Sequence, residues 1–162
     1  MPTKVLVNAG QIVINDGSSF LITDANGSIN ADLAQGFFVR DTRLISDYEI
    51  SLNHHRLVLL ASSMITHHSA LWEFTNPELP TARGMLPYGR LLVTVRRDIV
   101  NGMHEDIDIS GTTHSARVVA RPGTQASSGR RYNYFITILA RERTNSMGSN
   151  PFRWRLTSIC RY

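Results

Sequence analysis

Three carboxylates, Glu105, Asp106 and Asp108, crowd one short run, "MHEDIDIS" at residues 103–110. Glycoside hydrolysis needs two such groups facing each other across a bond, one to give a proton and one to attack or activate water. In an extended strand Asp106 and Asp108 share a face. A two-residue Asn101-Gly102 turn would set Arg97 opposite Asp106 and Asp98 opposite Glu105. A guanidinium beside a carboxylate favours its charged form, which is a poor general acid. The run reads as paired charge rather than as a catalytic dyad.

The histidines invite a metal reading: His54-His55, His67-His68, His104 and His114. Adjacent residues of a strand point to opposite faces, so neither pair chelates easily. No cysteine or carboxylate stands at a zinc-site spacing nearby. They read as exposed turn residues, and no metal or cofactor is expected. The serines of "ASSM" (residues 61–64) lack a Gly-x-Ser-x-Gly elbow. Among the aromatics, Trp72 and Phe74 read chiefly as core, and Trp154 lies in the basic end of the chain. Tyr88 sits in a loop, where an exposed ring could stack on a sugar or a neighbouring domain. A last candidate is "GFFVRDTRLIS" (residues 36–46), an apolar segment with Arg40, Asp41 and Arg43 in its middle.

The chain that positions these groups has 162 residues, 42% hydrophobic and 19% charged, which suits one folded domain rather than a disordered chain. Its longest apolar runs fall far short of the roughly 18 residues of a membrane span. The N-terminus carries no cleavage-site pattern, and Cys160 is the lone cysteine, compatible with a reducing compartment. A cytoplasmic location is expected. Charge is uneven. Residues 1–110 hold eight Lys+Arg and twelve Asp+Glu, whereas residues 111–162 hold nine Arg and a single acid, Glu142. The arginines could meet phosphates non-specifically, but no nucleic-acid module accompanies them.

Turn signals recur at Asp16-Gly17, Asn26-Gly27, Asn53-His54 and Asn101-Gly102. Between them lie "KVLVN", "QIVIN", "SSFLIT", "LISDYEISLN" and "RLVLLASS", short β-rich runs whose spacing predicts an all-β, antiparallel sandwich. The clearest hairpin is "RLLVTVRRDIV-NG-MHEDIDIS". Residues 74–89, "FTNPELPTARGMLPYG", hold three prolines and two glycines and read as a long surface loop. Beyond residue 120, "RPGTQASSGRR" reads as a linker, with "RYNYFITILAR" and "PFRWRLTSICRY" as further candidate strands.

In order, "QGFFVRDTRLISDYEISLN", "LLASS", "FTNPELP" and "VRRDIVNGMHEDIDIS" resemble the N-terminal β-domain of bacterial glycogen debranching enzymes of the amylo-α-1,6-glucosidase type. That family carries Gly-aromatic-x-x-x-Asp-Thr-Arg-x-(Leu/Ile)-Ser, matched here by Gly36, Phe37, Asp41, Thr42, Arg43, Ile45 and Ser46. "FLITDANGSIN" resembles its opening hairpin. The resemblance covers about residues 5–118. It implies a supersandwich-like antiparallel β-sandwich, incomplete at its C-terminal end. It also implies that the catalytic carboxylates belong to an (α/α)6 toroid that this chain lacks.

The chain is thus expected to be a non-catalytic accessory domain, with a toroid in cis or trans as partner. Stand-alone α-glucan binding is the alternative, and neither a membrane nor nucleic acid is an expected partner. Gly36, Asp41, Thr42, Arg43, Ser46, Asn76, Pro77, Arg97 and Gly102 are expected to be structural signature positions. Tyr88 and Trp72 are the candidate contacts with glucan or a domain interface. Residues 1–120 are expected to form the β-domain. Residues 121–162 are expected to be a divergent basic segment, frameshifted or poorly ordered. Drawn as one continuous strand, residues 36–46 put Asp41 and Arg43 on a face with Phe37, Val39 and Ile45. A charge there needs a partner, so a fixed Asp41–Arg43 pair serving as scaffold is expected.

Overall fold

A computed structural model describes residues 10–81, 84–111, 116–122, 130–140 and 152–160, the last three stretches as backbone strands. Every element among them is a strand or a turn, and no helix among the described residues is long and apolar enough to cross a membrane. The expected run at residues 4–8 lies outside the described residues.

Two sheets face each other. The first runs in the order β1 (Gln11–Asp16), β2 (Ser19–Asp24), β3 (Gly36–Val39), β4 (Thr42–Leu52), β13 (Arg130–Ala140) and β12 (Ala116–Pro122), with the short β5 (His55–Arg56) also on β4. The second runs β14 (Phe152–Cys160), β11 (Met103–Gly111), β10 (Leu91–Ile99), β7 (Ser69–Thr75) and β6 (Val58–Thr66). All pairings are antiparallel except β4 with β13. The all-β sandwich expected from the turn spacing is therefore the fold.

The reason is visible in β10 and β11. Leu91, Val93, Val95, Arg97 and Ile99 alternate inward, and Met103, Glu105, Ile107 and Ile109 answer them. From the first sheet Ile14, Leu21, Phe37, Ile45, Tyr48, Ile50 and Leu52 fill the other half of the core. Fully burying one such large apolar side chain contributes about 1.5–3 kcal/mol, so in β10 and β11 the alternation marks which face turns inward.

Two turns follow the expected chemistry closely. Asn53 and His54 both have positive φ, 48° and 65°, and close a two-residue loop between Leu52 and His55. The β1–β2 loop is Gly17-Ser18, with Asp16 paired to Ser19.

The β10–β11 hairpin corrects the expectation. Ile99 pairs with Met103, so the loop is Val100, Asn101 and Gly102, one residue longer than Asn-Gly alone. The register shifts with it: Arg97 faces Glu105, Asp98 faces His104 and Arg96 faces Asp106. A two-residue loop would have set inward residues against outward ones. Burial of one face excludes that slip, and the predicted clash of Asp98 with Glu105 disappears.

Residues 36–46 are not one strand either. Arg40 takes φ 54° and, with Asp41, turns β3 back onto β4. Asp41 is exposed in that turn, so no face carries it together with Arg43.

The Pro/Gly-rich segment contains its own two-stranded hairpin, β8 (Leu79–Thr81) with β9 (Gly84–Leu86), anchored by the buried Leu79. The two late candidate runs form β13 and β14, one in each sheet. The candidate boundary at residue 120 falls inside β12. Of the linker, residues 123–129 lie outside the described residues.

Candidate functional site

The largest buried charge in the sandwich is Arg97, 1% exposed. Its place follows from the alternation of β10, which aims position 97 inward. Nε–H donates to Glu105 Oε2 at 2.6 Å, and Nη1–H donates to the carbonyl of Gly27 at 2.6 Å. Tyr48, from the opposite sheet, donates its hydroxyl to Glu105 Oε1 at 2.8 Å. The guanidinium lies 4.1 Å from the Tyr48 ring centre and 4.9 Å from that of Trp72. Two aromatic faces thus sandwich the cation.

Electrostatics hold Arg97 charged and Tyr48 protonated. Burial opposes the Arg97 charge, but Glu105 and Tyr48 outweigh it and carry its pKa above the ordinary arginine value. Burial, and next the Glu105 charge, push the Tyr48 phenol well above its usual range. Tyr48 therefore stays protonated and donating, and both Glu105 oxygens accept. Such a carboxylate is held as a charge-paired acceptor.

The turn before β3 is fastened to the same cluster. Trp72 Nε1–H donates to the carbonyl of Ala25 at 3.1 Å. Gly27 has φ 75°, and a Cβ there would stand 3.1 Å from the indole of Trp72. Trp72 is fully buried in the core.

Arg43 forms a second anchor. Its Nη1 donates to the Ala31 carbonyl, and its Nη2 reaches the carbonyls of Asn30, Leu33 and Ser46, each at 3.1 Å. Its partners are backbone oxygens rather than the expected Asp41. The arginine sews the loop between β2 and β3 onto β4. Gly36 explains its own place in the segment: φ is 149°, and a Cβ would meet the Ile45 carbonyl at 2.5 Å and Arg43 Nε at 2.8 Å. Thr42 pairs with Val39 at the exposed mouth of the hairpin. Gly102 supplies positive φ to the β10–β11 loop.

Asn76 does for the proline-rich loop what Arg43 does for the other. Fully buried, it donates Nδ2–H to the carbonyls of Pro77 and Pro87, and its Oδ1 accepts from the backbone N–H of Arg90 and Leu91 at 2.8 Å. Thr75 adds a hydroxyl bond to the Leu91 carbonyl at 2.7 Å. The loop is thereby fixed with Tyr88 57% exposed at its surface.

The remaining candidates are dispersed. Asp106 and Asp108 lie on the outward side of β11, away from Arg97. His67 and His68 sit in the β6–β7 turn with ring centres 4.7 Å apart, because a turn, unlike a strand, lets neighbours converge. Among the described residues no group of three or more His, Cys, Asp and Glu gathers within reach of one ion. Arg96 and Asp98 bond to each other on the outer face at 2.9 Å. Burial raises the Asp98 pKa, but the bond from Arg96 and the other contacts outweigh it and leave the group below the usual carboxylate value. A cleft at Gly27, Tyr48, Arg56, Trp72 and Arg97 measures about 50 Å³. Ligand pockets span roughly 300–1,000 Å³, so this one admits water, not a sugar ring.

The sequence profile of the N-terminal domain of (some) glycogen debranching enzymes matches residues 14–121. The chain belongs to that family. No curated protein and no solved structure shows significant similarity to the chain. All the signature positions, from Gly36 to Gly102, fall inside the debranching-enzyme match. So do Tyr48, which sequence reasoning passed over, and Glu105, which it singled out but set opposite Asp98 instead of Arg97. A signal for Glu105 was present: strict alternation from Met103 through Ile109 puts position 105 on the apolar face.

Proposed function

We propose that this debranching-enzyme domain is a non-catalytic accessory module that packs on a glucan-hydrolysing (α/α)6 domain of the amylo-α-1,6-glucosidase type. One observation carries the reading. Glu105, a fully buried carboxylate, is engaged by Arg97 on one oxygen and Tyr48 on the other. It joins the two sheets as a structural link, buried away from any substrate. The lone Cys160 fits the reducing cytosol that such an enzyme would share with its glucan.

The test mixes this chain with a separately produced debranching-enzyme (α/α)6 domain. A stoichiometric complex on gel filtration, with branched-glucan turnover confined to samples containing the toroid, is expected. Turnover by the purified chain alone, or the absence of any complex at high micromolar concentration, would sink the proposal.

A second reading, stand-alone α-glucan binding, is favoured by the exposed Tyr88 on a loop pinned by Asn76. Retardation on a glycogen affinity gel, abolished by Tyr88→Ala, would support it. Unretarded migration of the wild-type chain would dismiss it.

The segment from residue 121 onward is part of the same proposal. The family match stops at 121, and acidic residues all but vanish beyond it. Either a shift of reading frame or a divergent terminus gives this composition. The pairing of β13 with β4 and of β14 with β11 supports the divergent terminus. Coding DNA whose alternative frames beyond residue 114 encode acidic, family-like strands would overturn that choice.

A further inference from the structure

The arginine-rich part of the chain contributes a strand to each sheet. β13 pairs with β4 in the first and β14 with β11 in the second. Both strands lie beyond the family match, which ends at residue 121. Directly opposed positions of paired strands share a face of the sheet. Register therefore assigns each position of β13 and β14 to the core side or to the outer side.

In the second sheet the buried positions Met103, Glu105, Ile107 and Ile109 lie opposite Cys160, Ser158, Leu156 and Trp154. Glu105 is the one charged residue of the first group, and Ser158 the one hydroxyl residue of the second. They are each other's register partners. A slip of two residues would keep the alternation of β14. It would also set Leu156 or Cys160 against the carboxylate, and Ser158 against Met103 or Ile107. On the outer side Arg155 stands opposite Asp108, and Thr157 opposite Asp106. The first sheet repeats the arrangement. Tyr132, Tyr134 and Ile136 lie opposite the buried Tyr48, Ile50 and Leu52, and Arg131 lies opposite Asp47.

We propose that β13 and β14 form a clasp keyed to the buried Arg97–Glu105–Tyr48 cluster, with Ser158 as the residue that fixes its register, and that the two strands dock and release as one unit. Each strand meets the cluster at one register position: Ser158 opposite Glu105, and Tyr132 opposite Tyr48. Tyr48 donates to Glu105 across the sheets at 2.8 Å, so a single contact underlies both docking positions. A carboxylate offers about four acceptor sites, and Arg97 and Tyr48 use two of those on Glu105. A hydroxyl suits a position opposite such a group, whereas an aliphatic residue there leaves the charge poorly solvated. The basic composition of this segment then serves the fold. Arg131 and Arg155 stand opposite carboxylates, where cross-strand pairing of unlike charges is favourable.

Hydrogen exchange and a double-mutant cycle on the full chain test the clasp. In the wild type the ladder amides of residues 130–140 and 152–160 should be protected. Ser158→Ala should lower the folding equilibrium constant at least about tenfold and quicken exchange in both strands together. Ser158→Thr, which keeps the hydroxyl, should stay close to wild type. In an Arg97→Met/Glu105→Leu background no charge faces position 158, and Ser158→Ala should there cost less than about twofold. Unprotected ladder amides in either strand of the wild type would overturn the proposal. So would a Ser158→Ala chain as stable as wild type, a Ser158→Thr chain as damaged as Ser158→Ala, or an equal loss in both backgrounds. Faster exchange in β14 alone would mean that the strands dock separately, and would overturn it as well. Should the double background fail to fold, the exchange pattern of wild type and Ser158→Ala decides.

Discussion

Arg97 Nε donates to Glu105 Oε2 at 2.6 Å across the β10–β11 hairpin, and both side chains are sealed from solvent. Opposite one another in register, they meet only because the loop between them has three residues. The pair also reaches the other sheet through Tyr48 and the Gly27 turn. It fixes strand register and sheet stacking together.

Arg97→Met should therefore strand a buried carboxylate and cost about 3–5 kcal/mol in urea unfolding. Pairing it with Glu105→Leu should recover most of that loss, since no unpaired charge remains. A single variant within about 0.5 kcal/mol of wild type would remove the lock from the account.

Alkaline pH should weaken the domain through Tyr48. Its folded pKa lies well above the ordinary 10.0, so the folded state holds a proton that the unfolded state releases. This contribution is fully present below about pH 10, and is lost as pH rises from there toward the folded pKa. Phenolate absorbance should show one tyrosine that titrates only with unfolding. In Tyr48→Phe that delayed step should vanish.

Gly36→Ala introduces a Cβ at 2.5 Å from the Ile45 carbonyl on a backbone with φ 149°. A cost of at least about 1–3 kcal/mol is expected. Thermal denaturation measures it, and an unchanged melting temperature would contradict the crowding.

Arg43→Lys keeps the charge but loses the planar fork that reaches several carbonyls at once. Hydrogen exchange at residues 30–34 should accelerate in this variant and in Arg43→Ala alike, with a stability loss of about 1.5–3 kcal/mol. If Arg43→Ala leaves the melt unchanged yet abolishes binding to the catalytic partner, Arg43 is a contact residue and not a clamp.

Asn76→Ala leaves the N–H groups of Arg90 and Leu91 without their side-chain acceptor. Limited proteolysis should then cut within residues 77–90, at rates the wild type does not approach, with about 1–3 kcal/mol lost overall. Cleavage at the wild-type rate would mean that β8 and β9 hold the loop by themselves.

Much of this was legible in the chain itself. Period-two alternation in β10 and β11 marks their inward faces, because apolar burial outweighs any other local preference there. Asn53-His54 and Asn101-Gly102 mark turns, because few other residues accept positive φ. The ordered segments around Gly36, Asn76 and Arg97 mark the family. Tertiary structure decided the partners. Spacing placed Arg97 beside Asp106 and paired Arg43 with Asp41; the fold gave Arg97 to Glu105 and Arg43 to four carbonyls. A one-residue difference in a loop reverses which face a side chain occupies, and local sequence scarcely distinguishes a loop of two residues from one of three. Only burial of the whole face against the opposite sheet makes that choice, and Tyr48 and Gly27, far away in sequence, come to Arg97 as its result.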